Sequence, residues 1–60
     1  MMNDKKIQKE VTAMFKKHAS GIQFDIMDLG KINKMGMDAA KSGKSIEEAV
    51  LAAIAQYRKN

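Results

Sequence analysis

Three stretches of the chain repeat their apolar positions at helical spacing. In the first, Ile7, Val11, Met14 and Phe15, followed by His18, fall at i, i+4, i+7, i+8 and i+11. At ~100° per residue this gathers them within about a third of the helix circumference. Lys5, Lys9 and Lys16 lie opposite, with Lys6, Glu10 and Lys17 on the flank. The pattern predicts a helix over residues 4–18, capped by Asn3 or Asp4. Lys16, Lys17 and His18 suit the negative pole of its dipole, and Gly21 offers a left-handed stop.

The second stretch carries two signals. In "GIQFDIM", Ile22, Phe24 and Ile26 alternate with Gln23, Asp25 and Met27, as in a short half-buried strand. From Asp25 onward a helical pattern competes. With Asp25 as N-cap, Asp28 falls at N3, and Phe24 and Leu29 occupy the two positions of a hydrophobic staple. Leu29, Ile32, Gly36, Ala39 and Ala40 then share one face, with Lys31, Lys34, Asp38 and Lys41 on the other. Four turns of clean helical face outweigh six alternating residues, so a helix is expected over residues 26–41. Gly36 sits at the centre of the apolar face with Ala40 four residues on, which marks it as a helix-crossing point. Gly30 costs its helix about 1 kcal/mol relative to Ala, and nothing in the local pattern accounts for it.

The third stretch opens on "SIEE". Ser45 and Glu48 stand in the spacing of a capping box, where the Ser hydroxyl accepts from the Glu amide and the Glu carboxylate reaches back. Ile46, Ala49, Val50, Ala53, Ile54 and Tyr57 follow as a buried stripe, Leu51 falls outside it, and Arg58 and Lys59 suit the helix end. A helix is expected over residues 46–59. The reading is therefore an all-α, compact three-helix domain occupying residues 1–60.

Size changes this picture by raising the question of stability. At 60 residues a chain buries only about 60% of the surface it exposes when unfolded. Of its hydrophobic residues, eight are Ala and six are Met, and there is no Cys. Neither a disulfide nor a thiolate metal site is available. Association with a second copy, as a homodimer, or with another protein is the remaining way to bury more surface.

The charge, +4 from 11 basic and 7 acidic residues, favours anionic partners. Ten of the basic residues are Lys and one, Arg58, is Arg, the better bidentate reader of bases and phosphates. Two lysine sets could meet nucleic acid: Lys5, Lys9 and Lys16 on the first helix, or Lys31, Lys34 and Lys41 on the second. "IQFDI", a helix, "SGKS" and a capped helix together are similar in outline to a ribbon-helix-helix DNA binder. That arrangement leaves the first helix unexplained and aims Asp25 at a phosphate-lined groove. Ala39 and Gly43 also match the small-residue spacing of a helix-turn-helix, whereas the polar Ser42 and Lys44 around Gly43 do not.

Other chemistry finds little support. Gly43-Lys44-Ser45 resembles the tail of a phosphate-binding loop, but the preceding glycine is Gly36, two residues too far away, and no strand leads in. Gly43 reads instead as the stop of the second helix and Ser45 as the cap of the third. His18 is the only His, so no His-based metal set exists. Asp25, Asp28, Glu47 and Glu48 all have helix-start roles. No enzymatic activity, cofactor or metal is expected. No apolar run approaches the roughly 20 residues of a membrane span, and "MMNDKKIQKEV" lacks the apolar core of a secretory signal. The lysine stripe of the first helix could suit a lipid surface, but its apolar face is needed for the core. A cytoplasmic protein is expected.

The function expected is that of a small regulatory or adaptor module binding a protein, or itself, through an apolar helical face. Met27, Met37 and Leu51 are the contact candidates, because they lie at the edges of or outside the buried stripes. A small basic DNA-binding regulator is the alternative.

Overall fold

Capping and glycine stops divide the chain into three helices: α1 (Asp4–His18), α2 (Ile26–Lys41) and α3 (Ile46–Tyr57). The structure, a computed structural model, describes residues 4–59. Asp4 lies within the first turn of α1 and so is not its cap, and Asn3, the alternative, lies outside the described residues. Among these no strand forms; residues 22–25 are an irregular link into α2.

Local chemistry explains each boundary. At the end of α1, Gly21 adopts φ +79°, and Ile22 N donates to Ala19 O at 3.0 Å. Asp25 caps α2 from an extended conformation, its carboxylate accepting from Met27 N at 3.0 Å. The end of α2 is a full Schellman motif: Lys44 N donates to Ala39 O at 2.8 Å and Gly43 N to Ala40 O at 3.2 Å. Gly43 supplies the φ of +76° that this turn needs. Two residues later Ser45 Oγ accepts from Glu48 N at 3.3 Å, forming the serine half of the capping box. The Gly43-Lys44-Ser45 triplet is thus used up in stopping one helix and starting the next.

The third helix is shorter than its pattern suggests. It ends at Tyr57, and Arg58 is extended (φ −63°, ψ 140°). The cause is tertiary: Lys59 N donates to Gln23 O at 2.9 Å. The tail thereby joins the link before α2 instead of continuing its own helix.

α2 and α3 form an antiparallel hairpin. The Schellman turn ties them at one end. At the other, Lys31 Nζ lies 5.9 Å from the centre of the Tyr57 ring. α1 lies obliquely across this hairpin. Asp4 reaches Lys41 at the end of α2 (4.0 Å), while His18 reaches Glu47 at the start of α3 (3.1 Å). The crossing is at Gly36: a Cβ built there would stand 2.7 Å from Val11 Cγ1. The bare backbone of Gly36 is what lets Val11 sit fully buried against α2.

Ile7 and Val11 of α1, Ile32, Gly36, Ala39 and Ala40 of α2, and Val50, Ala53 and Ile54 of α3 make up the buried set of the three helices. Ile22 and Phe24 in the link, together with Met14, Phe15, Met37 and Ile46, pack around it. The rings of Phe15 and Phe24 approach to 5.3 Å, closing the bottom of the core under the α1–α2 link. Each helix buries the stripe its periodicity indicates, with one exception. Leu29, placed by its pattern on the apolar face of α2, is 41% exposed. Among the described residues no helix is long and apolar enough to cross a membrane.

Candidate functional site

The exposure of Leu29 follows from the path of α1. Past Val11, α1 heads toward α3 and its His18–Glu47 contact. The first turns of α2 are left uncovered on the side that α1 shields further up. The result is an open groove of about 180 Å³ lined by Val11, Thr12, Phe15, Leu29, Ile32 and Asn33.

The groove has an apolar floor and polar edges. Val11, Phe15, Leu29 and Ile32 form the floor. Asn33 sits at one edge, clasped to Gln8 of α1 by a reciprocal pair of amide hydrogen bonds, with Asn33 Nδ2 donating to Gln8 Oε1 at 3.0 Å and Gln8 Nε2 returning to Asn33 Oδ1. Gln8 also donates to Thr12 Oγ1 at 3.0 Å. This amide clasp fixes how far α1 and α2 stand apart beside the groove.

Helical geometry extends the site along α2. Ile26, 83% exposed, lies only ~60° from Leu29 around the helix and ~20° from Asn33. It therefore continues the groove at its open end. Gly30 follows one turn after Ile26, ~40° further round from Leu29, with nothing within 4 Å of a Cβ placed there.

On the α1 side, Thr12 is shared with a shallow depression lined by Gln8, Lys9, Ala13 and Lys16. Lys9 and Lys16 line that depression and Lys5 lies ~20° from Thr12 around the helix, so the first lysine set flanks the groove beyond Thr12. No described residue forms an ion pair with Lys9 or Lys16. The second lysine set is placed differently. Lys31 pairs with Asp28 at 3.6 Å, Lys34 with Asp38 at 2.9 Å, and Lys41 with Asp4 at 4.0 Å. Each already faces a carboxylate.

The contact candidates named from the sequence scatter. Met27 is 79% exposed, but it points ~160° away from Leu29, onto the charged back of α2. Met37 is half-buried and packs on the core. Leu51 is 43% exposed, midway along α3. The structure does not gather these three into one surface. Phe15, Leu29 and Ile32 line one apolar surface instead. The sequence signal for it was Gly30, a helix-weakening residue without a local reason, together with Gly36 as the crossing point.

His18 and Glu47 form a contact that braces α1 to α3. Among the described residues no three His, Cys, Asp or Glu side chains gather as a metal ion would require. No protein-family model, curated protein or solved structure matches the chain. The reading of the groove rests on its own geometry.

Proposed function

We propose that this protein is a small, non-enzymatic interaction module, regulatory or adaptor in role, which binds another protein through the α1–α2 groove. The observation that carries this reading is the continuous apolar surface of Phe15, Leu29 and Ile32, with the exposed Ile26 three residues before Leu29 on α2. Large apolar side chains left in one contiguous, polar-rimmed surface mark interaction sites. An open, apolar groove between two helices is also the shape in which an amphipathic partner buries its own stripe. The absence of Cys agrees with a reducing cytosol, where we place the protein.

Leu29→Asp tests the proposal, because Leu29 is exposed enough for the substitution to leave the core intact. Both forms are used to capture partners from a nuclease-treated native lysate. Proteins held by the natural chain and lost with Leu29→Asp support the reading; identical capture by both forms refutes it.

DNA binding is the second reading, and one observation favours it: Lys5, Lys9 and Lys16 share one strip of α1. Against it stand the apolar groove floor, the ion pairs of the α2 lysines, and the helical start of α2 where a DNA-reading ribbon would be needed. The tight antiparallel α2–α3 hairpin also differs from the wide-angled pair of a helix-turn-helix. A gel shift at low salt with generic duplex decides it, since phosphate contacts give binding that weakens steeply with salt.

A further inference from the structure

Gly30 and Gly36 stand on the same helix and carry the same penalty for helix formation. Gly36 is explained within the chain, because Val11 occupies the space its missing side chain leaves. Gly30 is explained by nothing within the chain: it is exposed, helical, and faces open space. It lies one turn after Ile26 on α2, ~40° further round the helix from the groove floor. A glycine on a helix surface beside an apolar groove lets a second backbone approach closely, as Val11 shows at Gly36.

Charge selects what approaches. The α1 rim carries Lys5, Lys9 and Lys16, and neither Lys9 nor Lys16 is ion-paired among the described residues. The floor between the rims is apolar, so an occupant must bring its own apolar stripe and place carboxylates beside it. A second copy of this chain is poorly matched, because the same groove on that copy is flanked by lysines and brings no carboxylates.

We infer that the groove receives an acidic amphipathic helix of a partner protein, which crosses α2 at Gly30 and sets its carboxylates against Lys9 and Lys16. This rests on the interaction reading above and names the chemistry of the partner. The apolar stripe of the incoming helix lies over Leu29 and Phe15, Ile26 covers its far end, and its backbone passes closest at Gly30.

The test is selection of short helix-forming peptides, randomised at their surface positions, from a displayed library against the full chain at low salt. Selected peptides are then titrated against four variants: Leu29→Asp, Gly30→Leu, Lys9→Glu/Lys16→Glu and Gly30→Ala, each checked for folding by circular dichroism. The expected winners carry apolar residues at i, i+3, i+4 and i+7 flanked by Asp and Glu, and they bind more weakly as salt rises. Gly30→Leu and Lys9→Glu/Lys16→Glu each weaken them by about tenfold or more, and Gly30→Ala weakens them less than Gly30→Leu. Winners that are neutral or basic, or that lose binding with Leu29→Asp but not with the Gly30 and lysine variants, overturn this inference and leave the groove as a protein-binding site. If no peptide is selected, both readings fail. Concentration-dependent dimerisation abolished by Leu29→Asp in sedimentation would assign the groove to a second copy and overturn the acidic-helix assignment.

Discussion

Gly36 and Val11 meet so closely that a single added methyl would stand 2.7 Å from Val11 Cγ1. The contact joins α1 to α2 and sets where they cross. Gly36→Ala gains about 1 kcal/mol of helix propensity but forces a methyl against a stiff β-branched side chain, an overpacking cost of roughly 1–3 kcal/mol. A net loss of about 1 kcal/mol is expected, read as a fall of about 4–8 °C in Tm. Val11→Ala opens a gap at the same place, so the double variant should lose less than the sum of the singles. A coupling of about 1 kcal/mol is expected in urea unfolding; strict additivity would mean the two residues do not set the crossing.

Gly30→Ala should do the opposite. Nothing lies within 4 Å of the added Cβ, so only the helix gain remains, and stability should rise by about 1 kcal/mol. The contrast between two glycines six positions apart on one helix (Gly30 and Gly36) separates a packing role from its absence. A loss of stability on Gly30→Ala, measured by thermal melting, would show an intramolecular contact that the structure lacks.

The Gln8–Asn33 clasp should behave as a unit. Gln8→Ala leaves the half-buried Asn33 amide without its partner, at a cost of about 1 kcal/mol, while Asn33→Ala leaves Gln8 its bond to Thr12 and should cost less. Once one is gone, removing the other should add little. A double-mutant cycle by chemical denaturation should return a coupling near 1 kcal/mol, and a value indistinguishable from zero would reduce the clasp to a surface contact.

The turn between α2 and α3 should be sensitive at two points for two reasons. Ser45→Ala removes the acceptor for Glu48 N and should cost about 1 kcal/mol, with Ser45→Asp retaining most of the stability. Gly43→Ala forces a side chain into a left-handed conformation (φ +76°), at about 1–2 kcal/mol. Gly43→Asn should be milder, since Asn tolerates that conformation best among the other residues. Equal losses for Ala and Asn at this position, compared by thermal melting, would argue against the Schellman geometry.

Most of the fold was legible because it is local. Helix positions follow from spacing, from Asp25 and Ser45 as caps, and from Gly21 and Gly43 as stops, all of which act within a turn or two of chain. Gly36 was legible as a crossing point because a glycine in the middle of an apolar face has few other reasons to be there. The end of α3 was not legible, because Arg58 and Lys59 look like good helix-end residues until the Gln23 carbonyl draws Lys59 away. The groove was only half legible: Gly30 showed as unexplained, while Leu29 showed as core.

The amino-acid sequence by itself determined three amphipathic helices, the N-caps of α2 and α3, and which stripe of each turns inward, since these depend on periodicity and on hydrogen bonds between near neighbours. Only the tertiary structure decided which part of the α2 stripe is covered. That choice belongs to the angle at which α1 passes over Gly36, a contact between residues far apart in the chain. An apolar face says that a residue can be buried; the crossing of two helices decides whether it is, and here it left Leu29 and Ile26 facing outward.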